Sequence, residues 1–159
     1  MNTVYLLLGS NMGNSEHMLN VATDMVEKNI GKKTQSSSIY RTAAWGKEDQ
    51  ADFLNQIIVV STLLEPSTIL NKIFAIETEM GRVRTIRNAA RIIDIDILFY
   101  NDDIINTEKL IVPHKQIQNR RFVLVPLAEV APLYKHPLLK KTAKELELIC
   151  TDKLNVQKN

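Results

Sequence analysis

RIIDIDIL, residues 91–98, alternates isoleucine with aspartate. In a strand, successive side chains turn to opposite faces. Ile93, Ile95 and Ile97 therefore share one face, and Asp94 and Asp96 share the other. At roughly 3.3 Å per residue the two acids stand about 7 Å apart. Carboxylates converging to about 5 Å repel by roughly 3 kcal/mol at an effective dielectric of about 20. A divalent cation between them reverses that sign, and hard Mg²⁺ favours a few carboxylates completed by water and phosphate oxygens. The plain alternative is an edge strand whose acids are solvated or paired with arginine. The preceding stretch weighs against it. Arg82, Arg84, Arg87 and Arg91 fall within residues 82–91, which hold no acid. Guanidinium forks beside a cation-binding acid pair suit a phosphate chain. A solvated basic loop or an RNA-binding turn is the corresponding alternative for the arginines.

Outward from this stretch the chain alternates strands and helices. Residues 3–9 read as a short buried strand, broken by GSNMGN at 9–14. Met18, Leu19, Ala22, Met25, Val26 and Ile30 then form one helical stripe, with Gly31 as its stop. Residues 33–42 read as a weak, serine-rich strand, 42–52 as a loop and 53–63 as a β-branched strand. Pro66 suits the first turn of a second helix. Ile69, Leu70, Ile73, Ile76 and Met80 give it an apolar stripe, and Gly81 closes it. After the opening strand, NDD (101–103) turns into another short strand. LIVPH and RFVLVPL, within residues 110–127, read as strand pieces around a turn. TAKE (142–145) has capping-box spacing and starts a short terminal helix. The order predicts an α+β fold: a ferredoxin-like βαββαβ core with both helices on one face, and an additional C-terminal β/α portion.

The 159 residues allow one domain, 1–159, with a real core. A formal net charge of +2 implies no bulk field for DNA or membrane, so any basic site is local. One cysteine, Cys150, excludes an intrachain disulfide and fits a reducing compartment. The apolar run 4–8 is too short for a signal-peptide core. No run approaches the roughly 20 apolar residues of a membrane span. A cytoplasmic, single-domain protein is expected.

Phe53 and Asn55 are two apart in a strand and share a face. A flat heterocycle rich in hydrogen-bonding groups needs aromatic surfaces and in-plane donors and acceptors. Core packing accounts for Phe53, and for Phe122, taken singly. Asn55 within an apolar strand is harder to explain as packing, because a buried amide costs free energy unless satisfied. GSNMGN joins strand to helix but lacks the P-loop lysine and the Rossmann spacing. It reads as a structural turn at the site's edge, with no ligand assigned.

RNAARIIDIDIL (87–98) resembles the signature segment of the 6-hydroxymethyl-7,8-dihydropterin pyrophosphokinase family. GSN (9–11), YRT (40–42), DQADFLNQ (49–56), GRVR (81–84), INTEKLIVPH (105–114) and NRRFVLVPL (119–127) resemble it in order and spacing. The likeness runs from the first strand to about residue 134. It implies transfer of a pyrophosphoryl group from ATP to the hydroxymethyl oxygen of a pterin, releasing AMP, in folate biosynthesis. It implies two Mg²⁺ ions on Asp94 and Asp96, with Arg82 and Arg91 acting in the chemical step. For ATP it implies Glu77, Arg84, Arg91, Ile97, Lys109, Ile111, His114 and Arg120. For the pterin it implies Phe53 and Phe122 on the ring faces, Asn55 on its edge, backbone groups of Thr42, Ala43 and Trp45, and Asp94. Small-molecule partners, no nucleic acid, no membrane and a monomer complete the expectation.

The chain departs from the family pattern at Asn88-Ala89-Ala90, where most relatives carry Trp-Gly-Pro and a loop one residue longer. Lys109 stands where relatives often have arginine, and lysine lacks the planar fork. Ala43 stands where they often have proline. Two other readings compete. A ferredoxin-like RNA-binding module would use the basic loop, but the stacking aromatics of that pattern are absent. A two-metal nuclease explains the aspartates but not Phe53 with Asn55.

Overall fold

The computed structural model describes residues 1–43, 51–82 and 90–159. The fold is mixed helix and antiparallel sheet, of the α+β class. Strand β1 (Asn2–Ser10) leads into helix α1 (Ser15–Asn29), whose N-cap Asn14 accepts a hydrogen bond from the His17 amide. Two short strands, β2 (Lys32–Ser36) and β3 (Tyr40–Thr42), precede the long β4 (Phe53–Thr62). Helix α2 (Pro66–Glu79) begins at a proline, and β5 (Asp94–Tyr100) carries the opening motif. The main sheet runs β5-β1-β4-β3, with β2 also paired to β4. Beyond β5 come the paired β6 (Ile105–Asn106) and β7 (Ile111–Val112), then helices α3 (Arg121–Val130) and α4 (Ala143–Ile149). The last strand, β8 (Val156–Lys158), returns to the free edge of β3.

The alternation in β5 divides the molecule. Ile93, Ile95 and Ile97 join Leu6, Leu8, Ile58 and Val60 in one core, closed by Leu19, Ala22 and Val26 of α1 and Ile69, Ile73 and Ile76 of α2. The opposite face carries a second core of Leu7, Ile57, Leu98 and Phe99 under α3 and α4. A register shift opposite Tyr5 and Leu6 skips Leu98 and turns Phe99 into that second core.

Four local readings need correction. The serine-rich segment 33–42 is two strands. Ser37 breaks the ladder: its hydroxyl accepts from the Ile57 amide at 3.0 Å, while its own amide donates to the Ile57 carbonyl at 2.8 Å. RFVLVPL is not strand but the start of α3. Its β-branched valines suggest strand, yet Val123, Leu124 and Leu127 fall on one helical face and are buried there. The RIIDIDIL strand begins at Asp94, leaving Arg91 and Ile92 outside it. The capping box is present in full, with Glu145 N donating to Thr142 Oγ1 at 3.1 Å and Thr142 N to Glu145 Oε1 at 3.0 Å. Gly31 ends no helix by left-handed geometry. A Cβ there would overlap the Ser61 carbonyl, so glycine permits the close approach of β2 to β4.

Candidate active site

Direct cross-strand partners share a sheet face. Gly9 in β1 stands opposite Asn55 in β4 and Asp94 in β5. One pair further along, Leu7 stands opposite Ile57 and Asp96. The row Asn55–Gly9–Asp94 forms the floor of a cleft of about 600 Å³. Glycine is required at its centre, since a Cβ on Gly9 would lie 2.8 Å from Asn55 Oδ1. The cleft gathers Thr42, Ala43, Phe53, Asn55, Arg82, Arg91, Asp94, Asp96, His114, Arg120 and Phe122 from five parts of the chain.

Arg82 is delivered by the end of α2. Gly81 has φ +93°, the Gly81 amide donates to the Thr78 carbonyl and the Arg82 amide to the Glu77 carbonyl, both at 3.0 Å. This is a Schellman cap, which glycine enters without steric penalty. It folds Arg82 back over the helix end. Arg82 Nη1 donates to Glu77 Oε2 at 2.7 Å and to Asp94 Oδ1 at 2.6 Å. Burial opposes the Arg82 charge, but Asp94 and Glu77 outweigh it and raise its pKa above the ordinary arginine value. Glu77 is 1% exposed and also accepts the Ile95 amide at 2.8 Å. It therefore lies behind the cleft wall, joining helix, strand and arginine, and does not line the cleft.

Arg91 is delivered by Asn11. Arg91 N donates to Asn11 Oδ1 at 2.8 Å, and Asn11 N donates to the Arg91 carbonyl at 3.1 Å. Arg91 Nη1 then reaches Asp94 Oδ2 at 2.9 Å. Asp94 thus has an arginine on each oxygen. Asp96, one pair deeper, has a different environment. Burial, then the charges of Asp94 and Glu77, push its pKa up to about 7, against the opposing pull of Arg120 and Arg82. Like charges close together cannot both ionise cheaply.

The rest of the cleft is lined by a buried amide, two aromatic rings, Arg120 and His114. Asn55 is 4% exposed, and its Nδ2 donates to Thr42 Oγ1 at 3.3 Å, leaving its amide oxygen toward the Gly9 side. The Arg91 guanidinium lies 5.8 Å from the Phe53 ring centroid and that of Arg120 5.7 Å from the Phe122 centroid, within cation–π range. His114 follows the cis Val112–Pro113 bond and is tied to β5 by its amide, which donates to the Leu98 carbonyl at 3.0 Å. Burial, then the Arg120 charge, lower its pKa, with Asp94 opposing. Its Nδ1 accepts the Gln116 amide at 3.1 Å, so the neutral ring carries its proton on Nε2.

Not every expected residue meets here. The Ile97 side chain points into the α1/α2 core, because it alternates with the aspartates. Only its backbone is on offer to a nucleotide. Lys109 and Ile111 belong to the β6–β7 hairpin and do not line the cleft. Trp45, Arg84, Arg87, Asn88 and Ala89 lie outside the described residues. Conversely, Gln116, Asn119, Asp152 and Leu154 line the cleft without having been expected. Gln116 precedes and Asn119 ends a single 3₁₀ turn (Ile117–Asn119), next to the expected His114 and Arg120. Proximity to those residues was their only signal in the sequence. GSN proves more than a turn, since Asn11 holds Arg91 by two hydrogen bonds.

An acid pair, Asp94 of it gripped by two arginines, and a buried amide beside aromatic rings divide the labour as an enzyme does that joins a polyphosphate to a flat polar ring. Comparison narrows that class. Residues 5–132 match the family model described as 7,8-dihydro-6-hydroxymethylpterin-pyrophosphokinase (HPPK). The chain belongs to this family. It is 40% identical over 147 residues to the 2-amino-4-hydroxy-6-hydroxymethyldihydropteridine pyrophosphokinase of Aquifex aeolicus, covering 92% of this chain and 91% of that one. It is 44% identical over 130 residues to the Bacillus subtilis protein of the same name, covering 81% and 78% respectively. A solved HPPK-DHPS structure from Plasmodium falciparum, with pterin and p-hydroxybenzoate, shares the fold at a TM-score of 0.76 and 24% identity. The match covers 92% of this chain and 42% of that longer one.

Proposed function

We propose that this cleft binds ATP and 6-hydroxymethyl-7,8-dihydropterin side by side and carries out the family reaction. The chain transfers pyrophosphate from ATP to the hydroxymethyl group of the pterin in folate biosynthesis. The hydroxymethyl oxygen forms a bond to the β-phosphorus. The bond from that phosphorus to its bridging oxygen breaks, AMP departs with the electron pair, and the hydroxyl proton is released. The observation that carries this reading is the row Asn55–Gly9–Asp94, which sets a ring-reading amide beside the acid and arginine cluster.

Positioning and electrostatics dominate phosphoryl transfer. Arg82 and Arg91 approach from two sides of Asp94 and are the groups set to grip the transferring phosphoryl oxygens. Arg120 and the Nε2 proton of His114 add donors to the same end. Asn55 and Thr42 read the ring edge, and Phe53 and Phe122 offer aromatic faces. No group of three or more His, Cys, Asp or Glu converges among the described residues. Asp94 and Asp96 both line the cleft, and such a two-carboxylate donor set fits Mg²⁺ completed by water and phosphate oxygens better than a cation needing a full protein cage. Asp94 and Asp96 would hold two such ions, which supply neutralisation of the phosphate charge. Both arginines turn inward onto Asp94, which supports a small polyanion over RNA as their partner.

We also read the sheet order as a ferredoxin-like core with a C-terminal β/α addition, the whole acting as one domain, a cytoplasmic monomer. The direct test incubates the protein with ATP, Mg²⁺ and the reduced hydroxymethylpterin. AMP should form with the pyrophosphorylated pterin, and should not form when Mg²⁺ is chelated. Absence of AMP above background sinks the reading.

A further inference from the structure

The family match ends at residue 132, but the cleft wall continues past it. Asp152 and Leu154 line the cleft together with Thr42, Arg120 and Phe122. The segment that carries them is fastened at both ends. At its far end Val156 pairs with Thr42 and Lys158 with Tyr40. Asn159 N donates to the Ile39 carbonyl at 2.8 Å, and Arg41 Nη2 donates to Asn159 Oδ1 at 2.7 Å. At its near end Asp152 Oδ1 accepts the Leu154 amide at 3.0 Å, and Asp152 Oδ2 accepts the Arg121 amide at 2.9 Å.

The bond to Arg121 has a consequence for the cleft. Helix α3 starts at Arg121, and Arg120 before it supplies no side-chain cap. The first amides of a helix have no partner within it. Asp152 satisfies one of them from about thirty residues downstream, with a negative charge at the helix's positive end. Arg120 and Phe122 flank the bonded amide. Both reach the cleft, and their side chains lie against each other. If the first turn of α3 frays, the arginine and the ring lose their orientation together.

We propose that residues 152–154 are a wall of the substrate site, and that Asp152 is a positioning residue that orients Arg120 and Phe122 through the first turn of α3. The inference rests on the pyrophosphokinase reading. Phe122 belongs to the ring side of the cleft and Arg120 to the phosphate side, so loss of Asp152 falls on substrate binding, pterin included, and spares the aspartate pair itself.

The test compares Asp152→Ala, Asp152→Asn, Asp152→Ser and Lys158→Ala with the unaltered chain. Steady-state AMP formation gives kcat and KM, and fluorescence titration of the pterin with a nonhydrolysable ATP analogue gives Kd. Asp152→Ala should raise the pterin KM and Kd about fivefold, the order expected for a lost helix cap, with kcat changed by less than about twofold. Asp152→Ser, too short to reach the amide, should behave alike and serves if the alanine variant fails to fold. Asp152→Asn keeps an acceptor oxygen and should recover most of the affinity. Lys158→Ala removes a contact to Glu129 outside the cleft and should leave KM unchanged. The inference is overturned if Asp152→Ala and Asp152→Ser bind pterin as the unaltered chain does, if Asp152→Asn is no better than they are, or if Lys158→Ala matches them. An unaltered chain that binds pterin but forms no AMP overturns the pyrophosphokinase reading instead.

Discussion

Ile95 and Asp96 are neighbours on one strand with opposite surroundings. Ile95 is sealed in the core under α1 and α2. Asp96 looks into an open cleft among charges. The difference lies in how far the helices cover each face. One face is closed along its length by two long helices. The other is covered by α3 and α4 only where Leu7, Ile57, Leu98 and Phe99 lie, leaving the Gly9 end bare. The sealed face gives β5 a rigid backbone, and the bare end uses that rigidity to hold like charges close together. Apolar packing on one side thus makes the electrostatic arrangement on the other side possible.

The largest break in this comparison should come from the acids. Asp94→Ala and Asp96→Ala should each lower turnover by about a thousandfold or more, roughly 4 kcal/mol of barrier. AMP formation measures it, and a variant retaining a tenth of the activity would exclude its acid from the chemistry. Asp94→Ala should also lower Tm, because it leaves Arg82 and Arg91 without their shared acceptor. Ile95→Ala makes the complementary break. It should cost about 2–5 kcal/mol of stability, read by denaturant unfolding. Turnover per folded molecule should stay close to that of the unaltered chain. Lost turnover in a well-folded Ile95→Ala protein would mean that the two faces are not separable.

Solution pH should sharpen the contrast. The Asp96 pKa is raised from 3.8 to about 7, by burial first and by Asp94 and Glu77 next. A carboxyl raised in the fold favours the native state most while protonated. That contribution is complete below its unfolded value and is lost as pH rises through about 7. With Mg²⁺ chelated, the protein should therefore lose stability between mildly acid and mildly alkaline solution. Asp96→Asn should flatten that slope and raise Tm at alkaline pH while abolishing turnover. Parallel melting curves for the two proteins across this range would refute the assignment.

The sequence disclosed much of this architecture because its strongest signals are periodic. Ile93, Ile95 and Ile97 against Asp94 and Asp96 can be sorted by strand alternation alone, and the structure puts them on the faces expected. The stripes of α1 and α2 are legible for the same reason. Helix α3 was hidden by composition, since valines and Pro126 imitate strand edges while the burial of Val123, Leu124 and Leu127 keeps helical spacing. Strand β8 has no apolar pattern of its own and exists through its pairing to β3. Resemblance supplied most of the cleft, but it could not say that Glu77 works from behind the wall or that the Ile97 side chain faces away. Those are facts of burial, and burial depends on contacts between distant segments. Asp152 was invisible for that reason: in the sequence it is one acid in a polar tail.

The smallest change tests how the sealed side hands its order to the open side. Gly81 sits on the α2 end, outside the chemistry, yet its positive φ makes the cap that returns Arg82 to Glu77 and Asp94. A Cβ there meets only Ile92 Cδ1 at 3.4 Å, so the backbone conformation and not crowding is what glycine serves. Gly81→Ala should therefore cost about 1 kcal/mol, the penalty for a side chain in the left-handed region. Thermal or denaturant unfolding will show it. Activity should fall further than stability does, because the cap also holds the Arg82 guanidinium on Asp94, where the proposed reaction gathers the phosphates. Arg82→Ala sets the scale: it should impair the single-turnover chemical step more than substrate binding, and Gly81→Ala should give a smaller loss of the same kind. If Gly81→Ala lowers Tm but leaves the chemical step untouched, Arg82 is held by its two carboxylates alone, and the helix cap contributes only to stability.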